Sequence, residues 1–134
     1  MTEAVLDASV VVHWFRLEEQ GRSPEAHSLR VDFEAGGLRV LAPPLLWLEV
    51  ANVAARRWRW SEAQLGRLAA VWPGLGFELA EPDPVFVAEW AGKGLTAYDA
   101  SYVALAKETG APLITDDAEI LRTAPRYATA LASD

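Results

Sequence analysis

Short apolar runs alternate along this chain with longer stretches whose apolar positions recur at helical spacing, and Pro or Gly separates most of them. Ala4–Asp7, in AVLD, predicts a short buried strand, and ASVVVHWF predicts a helix opening directly after it. Ser23 followed by Pro24 reads as an N-cap with Pro at the first helical position; that helix should run to Gly36-Gly37, which suit a left-handed cap. LRVLA predicts a second strand, stopped by Pro43-Pro44. A long helix is expected from about Leu45 to Arg59. Ser61 with Gln64 forms a capping box for the next helix, ending near Trp72-Pro73.

FELA predicts the third strand. Asp83-Pro84 repeats the cap-plus-Pro signal for VFVAEWA, which Gly92 and Gly94 close. Thr96 with Asp99 reads as a second capping box, with Asp in place of Glu, for a helix ending at Gly110. PLIT is the fourth strand, AEILRTA a short last helix, and a weak strand is expected between Tyr127 and Leu131. Alternating β and α units predict an α/β fold: a mainly parallel sheet covered by helices. The 134 residues form one domain, spanning 1–134, with no repeat or linker.

Acidic residues mark the joints of this pattern. Asp7, Glu49, Asp99 and the pair Asp116-Asp117 each lie in apolar context, in LDASVVV, LLWLEVANV, LTAYDASYVALA and PLITDDAEIL. Ligands of open α/β sheets bind beyond the carboxyl ends of the strands, where Asp7 and Asp116-Asp117 fall. Singly, Asp7 and Asp117 could be N-caps, and Asp99 a capping-box acid favoured by the helix dipole. Glu49 resists that reading, because a merely solvated Glu is unexpected amid Leu45, Leu46, Trp47, Leu48, Val50 and Ala51. Converging carboxylates repel unless a cation joins them, and a divalent ion preferring oxygen is the candidate. Ser9 and Thr115 are near enough in sequence to support the cluster, and Asn52 and Arg56 share a helix face with Glu49. His13 is expected to pack beside Trp14 and His27 to be exposed, both away from the acids.

Composition narrows the class further. A hydrophobic content of 51% with six Trp excludes disorder, and the lack of Cys excludes disulfides, Cys-zinc sites and thiol nucleophiles. The acidic start lacks the basic region of a signal peptide, and no apolar run approaches the roughly 20 residues of a membrane span. A soluble, cytoplasmic domain without membrane contact is the expectation. The net charge of −7 argues against nucleic-acid binding, but four metal-bound acids would leave it at −3. Ten of the twelve basic residues are Arg. Arg56, Arg57, Arg59 and Arg67 cluster, in the side chain best suited to bidentate phosphate contact; a solvated face or a protein-binding patch remains open. Trp47 and Trp90 are expected in the core, whereas Trp58 and Trp60, alternating with Arg in ARRWRWS, could stack on bases or anchor a partner.

DAS after a first strand, Glu49 with Asn52 in EVAN, LTAYDASYVALA and APLITDDAEIL together resemble the PIN domain, more narrowly the VapC-type toxins of bacterial toxin–antitoxin pairs. The resemblance runs from Asp7 to Leu121. It implies a three-layer α/β/α fold and an endoribonuclease dependent on Mg²⁺ or Mn²⁺. It places Asp7, Glu49, Asp99 and Asp117 on the family's four acids, Asp116 on the variable position before the last, and Ser9, Asn52 and Thr115 on supporting polar positions. It further implies an RNA substrate, a cognate antitoxin and a homodimer. Two other classes compete: a receiver-like Mg²⁺-binding signalling module, and a PIN-like binding domain without catalysis. The receiver needs adjacent acids after the first strand and a Lys near the last; here the adjacent acids follow the fourth strand, and the lysines are Lys93 and Lys107.

Overall fold

A computed structural model describes residues 2–16 and 23–131. Five parallel strands form one sheet: β1 (Thr2–Leu6), β2 (Leu38–Ala42), β3 (Glu78–Leu79), β4 (Leu113–Thr115) and β5 (Ala128–Ala130), in the order β3-β2-β1-β4-β5. The helices are α1 (Ala8–Val11), α2 (Pro24–Glu34), α3 (Leu45–Arg56), α4 (Glu62–Val71), α5 (Pro84–Gly92), α6 (Ala97–Thr109) and α7 (Ala118–Thr123). The expected α/β sheet is present, all parallel, and the weak last strand is real: Leu113 pairs with Ala128 and Thr115 with Ala130.

Strands β1, β2 and β4 carry the core. Val5, Leu6, Val40 and Leu113 are fully buried, joined by Leu46 and Val50 of α3 and by Tyr102, Val103 and Leu105 of α6. A strand covered on both faces needs a near-continuous apolar run, and AVL before Asp7 supplies it. The central position of β1 is therefore a direct product of its sequence.

Most local signals are realised as read. Ser23, Ser61, Asp83, Thr96 and Asp117 each accept a backbone N–H of the helix they cap, and Ser61 with Gln64 closes a complete capping box. Gly36 (φ 84°) and Gly110 (φ 76°) take the left-handed conformation that ends α2 and α6. Three expectations need correction. The helix expected over ASVVVHWF is α-helical only to Val11 and tightens into a 3₁₀ turn over Val12–Phe15, where Trp14 must turn inward to donate its indole N–H to the Ala26 carbonyl at 2.9 Å. The helix expected to reach Arg59 stops at Arg56, since Arg59 sits at φ 58°, a conformation no helix continues through. The third strand contracts from FELA to Glu78–Leu79 at the sheet edge.

The strand order also decides between candidate folds. Receiver domains follow the doubly wound order 2-1-3-4-5. This sheet runs 3-2-1-4-5, so the receiver-like alternative fails on topology as well as on its missing residues.

Candidate active site

The order of connections reverses between β1 and β4, which are hydrogen-bonded neighbours. Such a switch point opens a crevice beyond the carboxyl ends of the two strands. Asp7 follows β1 there, Thr115 ends β4, and Asp116 and Asp117 follow it. Sequence position alone therefore delivers two of the acidic segments to one place.

Asp7 is buried, with 4% of its surface exposed. It occupies the N-cap position of α1 but makes no side-chain capping bond, so capping does not explain it. Instead Ser9 Oγ donates to Asp7 Oδ1 at 2.6 Å and Thr115 Oγ1 donates to Oδ2 at 2.5 Å. The two hydroxyls are themselves oriented by backbone amides: Asp116 N donates to Ser9 Oγ at 2.9 Å, and Asp117 N to Thr115 Oγ1 at 2.9 Å. The turn after β4 thus fixes two hydroxyls that fix one carboxylate. Burial nevertheless pushes the Asp7 pKa up to about 6; the two hydroxyl bonds pull it down, and the charges of Asp117 and Asp99 push it up again.

Glu49, in the second turn of α3, is half-buried, and Asp99 lies in the first turn of α6. Burial raises both pKa values, with Asp117 and Glu119 adding to Asp99, and Asp99 adding to Glu49. Thr96 accepts the Asp99 N–H at 3.0 Å. The reciprocal bond from the Asp99 carboxylate, which a full capping box requires, does not form among the described residues, in contrast to Ser61 with Gln64. The Asp99 carboxylate is thus not tied back to the helix start as a full capping box would tie it.

Asp117 caps α7 through Oδ1, accepting from Ile120 N at 3.0 Å, and also acts electrostatically on Asp7 and Asp99. Asp116 is exposed and turns away, its Oδ2 3.9 Å from His13 Nε2. His13 is therefore not remote from the acidic segments, as its sequence context suggests. The 3₁₀ turn after α1 carries it to the rim, where Arg16 Nη1 donates to its Nδ1 at 3.0 Å. Burial and Arg16 hold its pKa below the usual value, with Asp116 opposing. His27 is exposed, as expected.

Tyr102 is the residue that sequence reasoning passes over. It lies one turn after Asp99 on α6, fully buried, and its hydroxyl donates to Glu49 Oε1 at 2.5 Å. The signal that could have found it is an i,i+3 pairing of Asp99 with a polar aromatic in TAYDASYVALA. Asn52 and Arg56 follow Glu49 along α3 and are exposed, as are Arg57 and Arg59. No salt bridge to Arg56, Arg57, Arg59 or Arg67 occurs among the described residues. Trp58 and Trp60 pack on each other, with ring centroids 5.5 Å apart, and both are half-buried. Trp90 is core as expected, Trp14 and Trp72 join it, and Trp47 is only half-buried.

Among the described residues, no three Asp, Glu or His side chains are gathered closely enough to hold a metal ion as they stand. The donor chemistry still fits one. Asp7, Glu49, Asp99 and Asp117 offer anionic oxygen, the charges of Asp117 and Asp99 raise the proton affinity of Asp7, that of Asp117 raises Asp99 and that of Asp99 raises Glu49, and no Lys or Arg among the described residues forms an ion pair with them. A hard divalent cation is the counter-charge that such a set suits. Pro43, Pro44, Leu45, Val87, Ala91 and Ser101 line an open, mainly apolar groove of about 680 Å³, which none of the four acids lines.

The family model for the PIN domain matches residues 4–125. Among solved structures, the fold is similar to the crystal structure of PAE2754 from Pyrobaculum aerophilum, with a TM-score of 0.64 and 23% identity over 97% of this chain and 90% of that one. At that identity the likeness is one of fold. No curated protein matches the chain.

Proposed function

The chain belongs to the PIN domain family, a family of nucleases, and from that premise we propose that it is a metal-dependent endoribonuclease, the toxin of a toxin–antitoxin pair of the VapC type. One observation carries the reading: a buried carboxylate, Asp7, is held by two oriented hydroxyls at the switch point and is electrostatically coupled to Asp99 and Asp117. Burying a carboxylate without a cationic partner is costly, and such costs are characteristic of functional sites.

In this reading Asp7, Glu49, Asp99 and Asp117 hold Mg²⁺ or Mn²⁺. The bound ion supplies Lewis-acid polarisation of a phosphoryl oxygen and lowers the pKa of a water for in-line attack. Ser9 and Thr115 keep Asp7 in one orientation and, donating to it, favour its ionised form. Asp117 presents Oδ2 while Oδ1 is tied to α7. Asn52 lies one turn from Glu49, within reach of a substrate strand along α3. Arg56 stands about 10 Å from Glu49 along the same stripe, seven residues at 1.5 Å each, and with Arg57 and Arg59 would contact the RNA backbone. Because Trp58 and Trp60 cover each other, phosphate contact by the arginines is favoured over base stacking. No helix among the described residues is long and apolar enough to cross a membrane. The apolar groove lined by Pro43, Pro44, Val87 and Ala91 suits a segment of the cognate antitoxin, and a homodimer completes the proposed assembly.

The direct test is incubation of purified protein with structured RNAs and Mg²⁺, followed by mapping of new RNA ends, with the Asp99→Asn variant as control. New ends absent from the variant support the reading; identical end profiles overturn it.

Two predictions arise here. Asp117→Asn should weaken Mn²⁺ affinity and cleavage clearly more than Asp116→Asn, since only Asp117 acts on the other acids while Asp116 faces His13. Isothermal titration of both variants decides it, and the reverse order would move the fourth ligand to Asp116. Replacing Arg56, Arg57 and Arg59 together by Gln should weaken RNA binding uniformly across sequences and flatten its salt dependence. In a cleavage-dead background the slope of log K against log salt should fall by about two, each arginine on a single-strand phosphate accounting for roughly 0.7.

A further inference from the structure

We propose that Tyr102 is a positioning residue that orients Glu49 for cation binding and couples α6 to α3 across the site. The inference rests on the reading of Glu49 as a metal ligand. Its observations are geometric. Tyr102 is 1% exposed, its ring locked in the core among residues of α6 and the sheet, so its hydroxyl is a fixed point. Glu49 is the most flexible of the four acids, with three side-chain torsions, and it sits on a different element from the others. One hydrogen bond of 2.5 Å, donated by Tyr102 to Oε1, removes that freedom. It leaves Oε2 as the unengaged oxygen among the described residues.

The same helix turn carries Asp99, three residues before Tyr102. Helix α6 therefore contributes one carboxylate directly and aims a second from α3. A phenol ordinarily titrates at about pH 10, so the hydroxyl keeps its proton and remains a donor around neutral pH. A residue filling space alone would need no hydroxyl at this point. Outer hydrogen-bond partners that fix a metal-binding side chain typically change affinity or activity by about 10–100-fold when removed.

The test is Tyr102→Phe, which keeps the ring and deletes the donor. Three readouts are taken on the full chain: the melting temperature in EDTA, Mn²⁺ affinity by titration, and kcat with KM for an RNA substrate. The expected result is a folded protein whose Mn²⁺ affinity falls about tenfold or more, with kcat reduced and KM for RNA within about twofold of wild type. A folded Tyr102→Phe protein with wild-type Mn²⁺ affinity and kcat overturns the proposal, whatever its melting temperature. Should the variant not fold, the ¹³Cζ resonance of Tyr102 in wild-type protein answers instead. It should move on titration with Mg²⁺ at the midpoint of metal binding, and an unmoved resonance overturns the proposal. Wild-type protein that binds neither ion would instead overturn the metal-dependent reading of the whole site, an outcome distinct from an unaffected Tyr102→Phe.

Discussion

Replacing Asp7 by Asn is expected to end RNA cleavage and, in the same molecule, to raise the melting temperature measured without metal. The two effects have one origin. Asp7 is almost completely buried and its pKa is pushed up to about 6 from 3.8, chiefly by burial. A carboxyl whose folded pKa exceeds its unfolded one favours folding fully below pH 3.8, and that contribution is lost as pH rises through about 6. Above pH 7 the ionised group therefore destabilises the fold, by about 3 kcal/mol at 1.36 kcal/mol per pKa unit. Asn removes the charge but also turns one acceptor into a donor, so Ser9 or Thr115 is left without its acceptor, at about 1 kcal/mol. A net gain of about 1–2 kcal/mol corresponds to a rise of roughly 5 °C. Cleavage should fall by more than about 100-fold, beyond what removal of an outer hydrogen-bond partner costs. Thermal melts in EDTA from pH 4 to 8, beside an RNA cleavage assay, check both halves. The stability gap between variant and wild type should open between pH 4 and 7. An active Asp7→Asn protein would falsify the assignment of Asp7 as a ligand.

Most of this fold is legible in the sequence because its punctuation is local. Ser23-Pro24, Asp83-Pro84, Ser61 with Gln64, and Gly36 or Gly110 act within one helical turn, and each does in the structure what its type dictates. Features set by distant partners are not legible. The 3₁₀ turn over Val12–Phe15 depends on Trp14 reaching Ala26, and the length of β3 depends on its pairing with β2, which only Glu78 and Leu79 make. Among site residues, Asp7, Ser9, Thr115 and Asp117 can be placed from strand ends alone. Asp99 invites a capping-box reading because its spacing from Thr96 fits, yet only the backbone half of that box forms. Tyr102 escapes notice since a buried Tyr in an apolar helix reads as core, and its partner Glu49 lies 53 residues away. His13 misleads for the same reason: its nearness to Asp116 depends on β1 and β4 being adjacent, which no local pattern encodes.

Mn²⁺ should raise the melting temperature of the wild-type protein strongly at pH 7.5, much less at pH 5, and EDTA should reverse the effect. A ligand binding only the native state at a hundredfold excess over Kd stabilises by about 2.7 kcal/mol, or roughly 10 °C for a domain of this size. Ligating carboxylates must be deprotonated, so protons compete with the ion. With the Asp7 pKa near 6, about nine-tenths of that group is protonated at pH 5. The apparent Kd then weakens about tenfold, and the same Mn²⁺ concentration yields about 1.4 kcal/mol. Glu49 and Asp99, whose pKa values are also raised by burial, deepen the loss in the same direction. The sign is opposite to that of the metal-free protein, in which ionised Asp7 destabilises and mild acid helps. Without metal the acidic edge is a liability above pH 7, and a bound ion would offset that cost. Differential scanning fluorimetry at the two pH values, with and without Mn²⁺, separates the cases. An equal shift at both pH values would place the ion away from Asp7, and no shift at pH 7.5 would remove metal binding from this set of acids altogether.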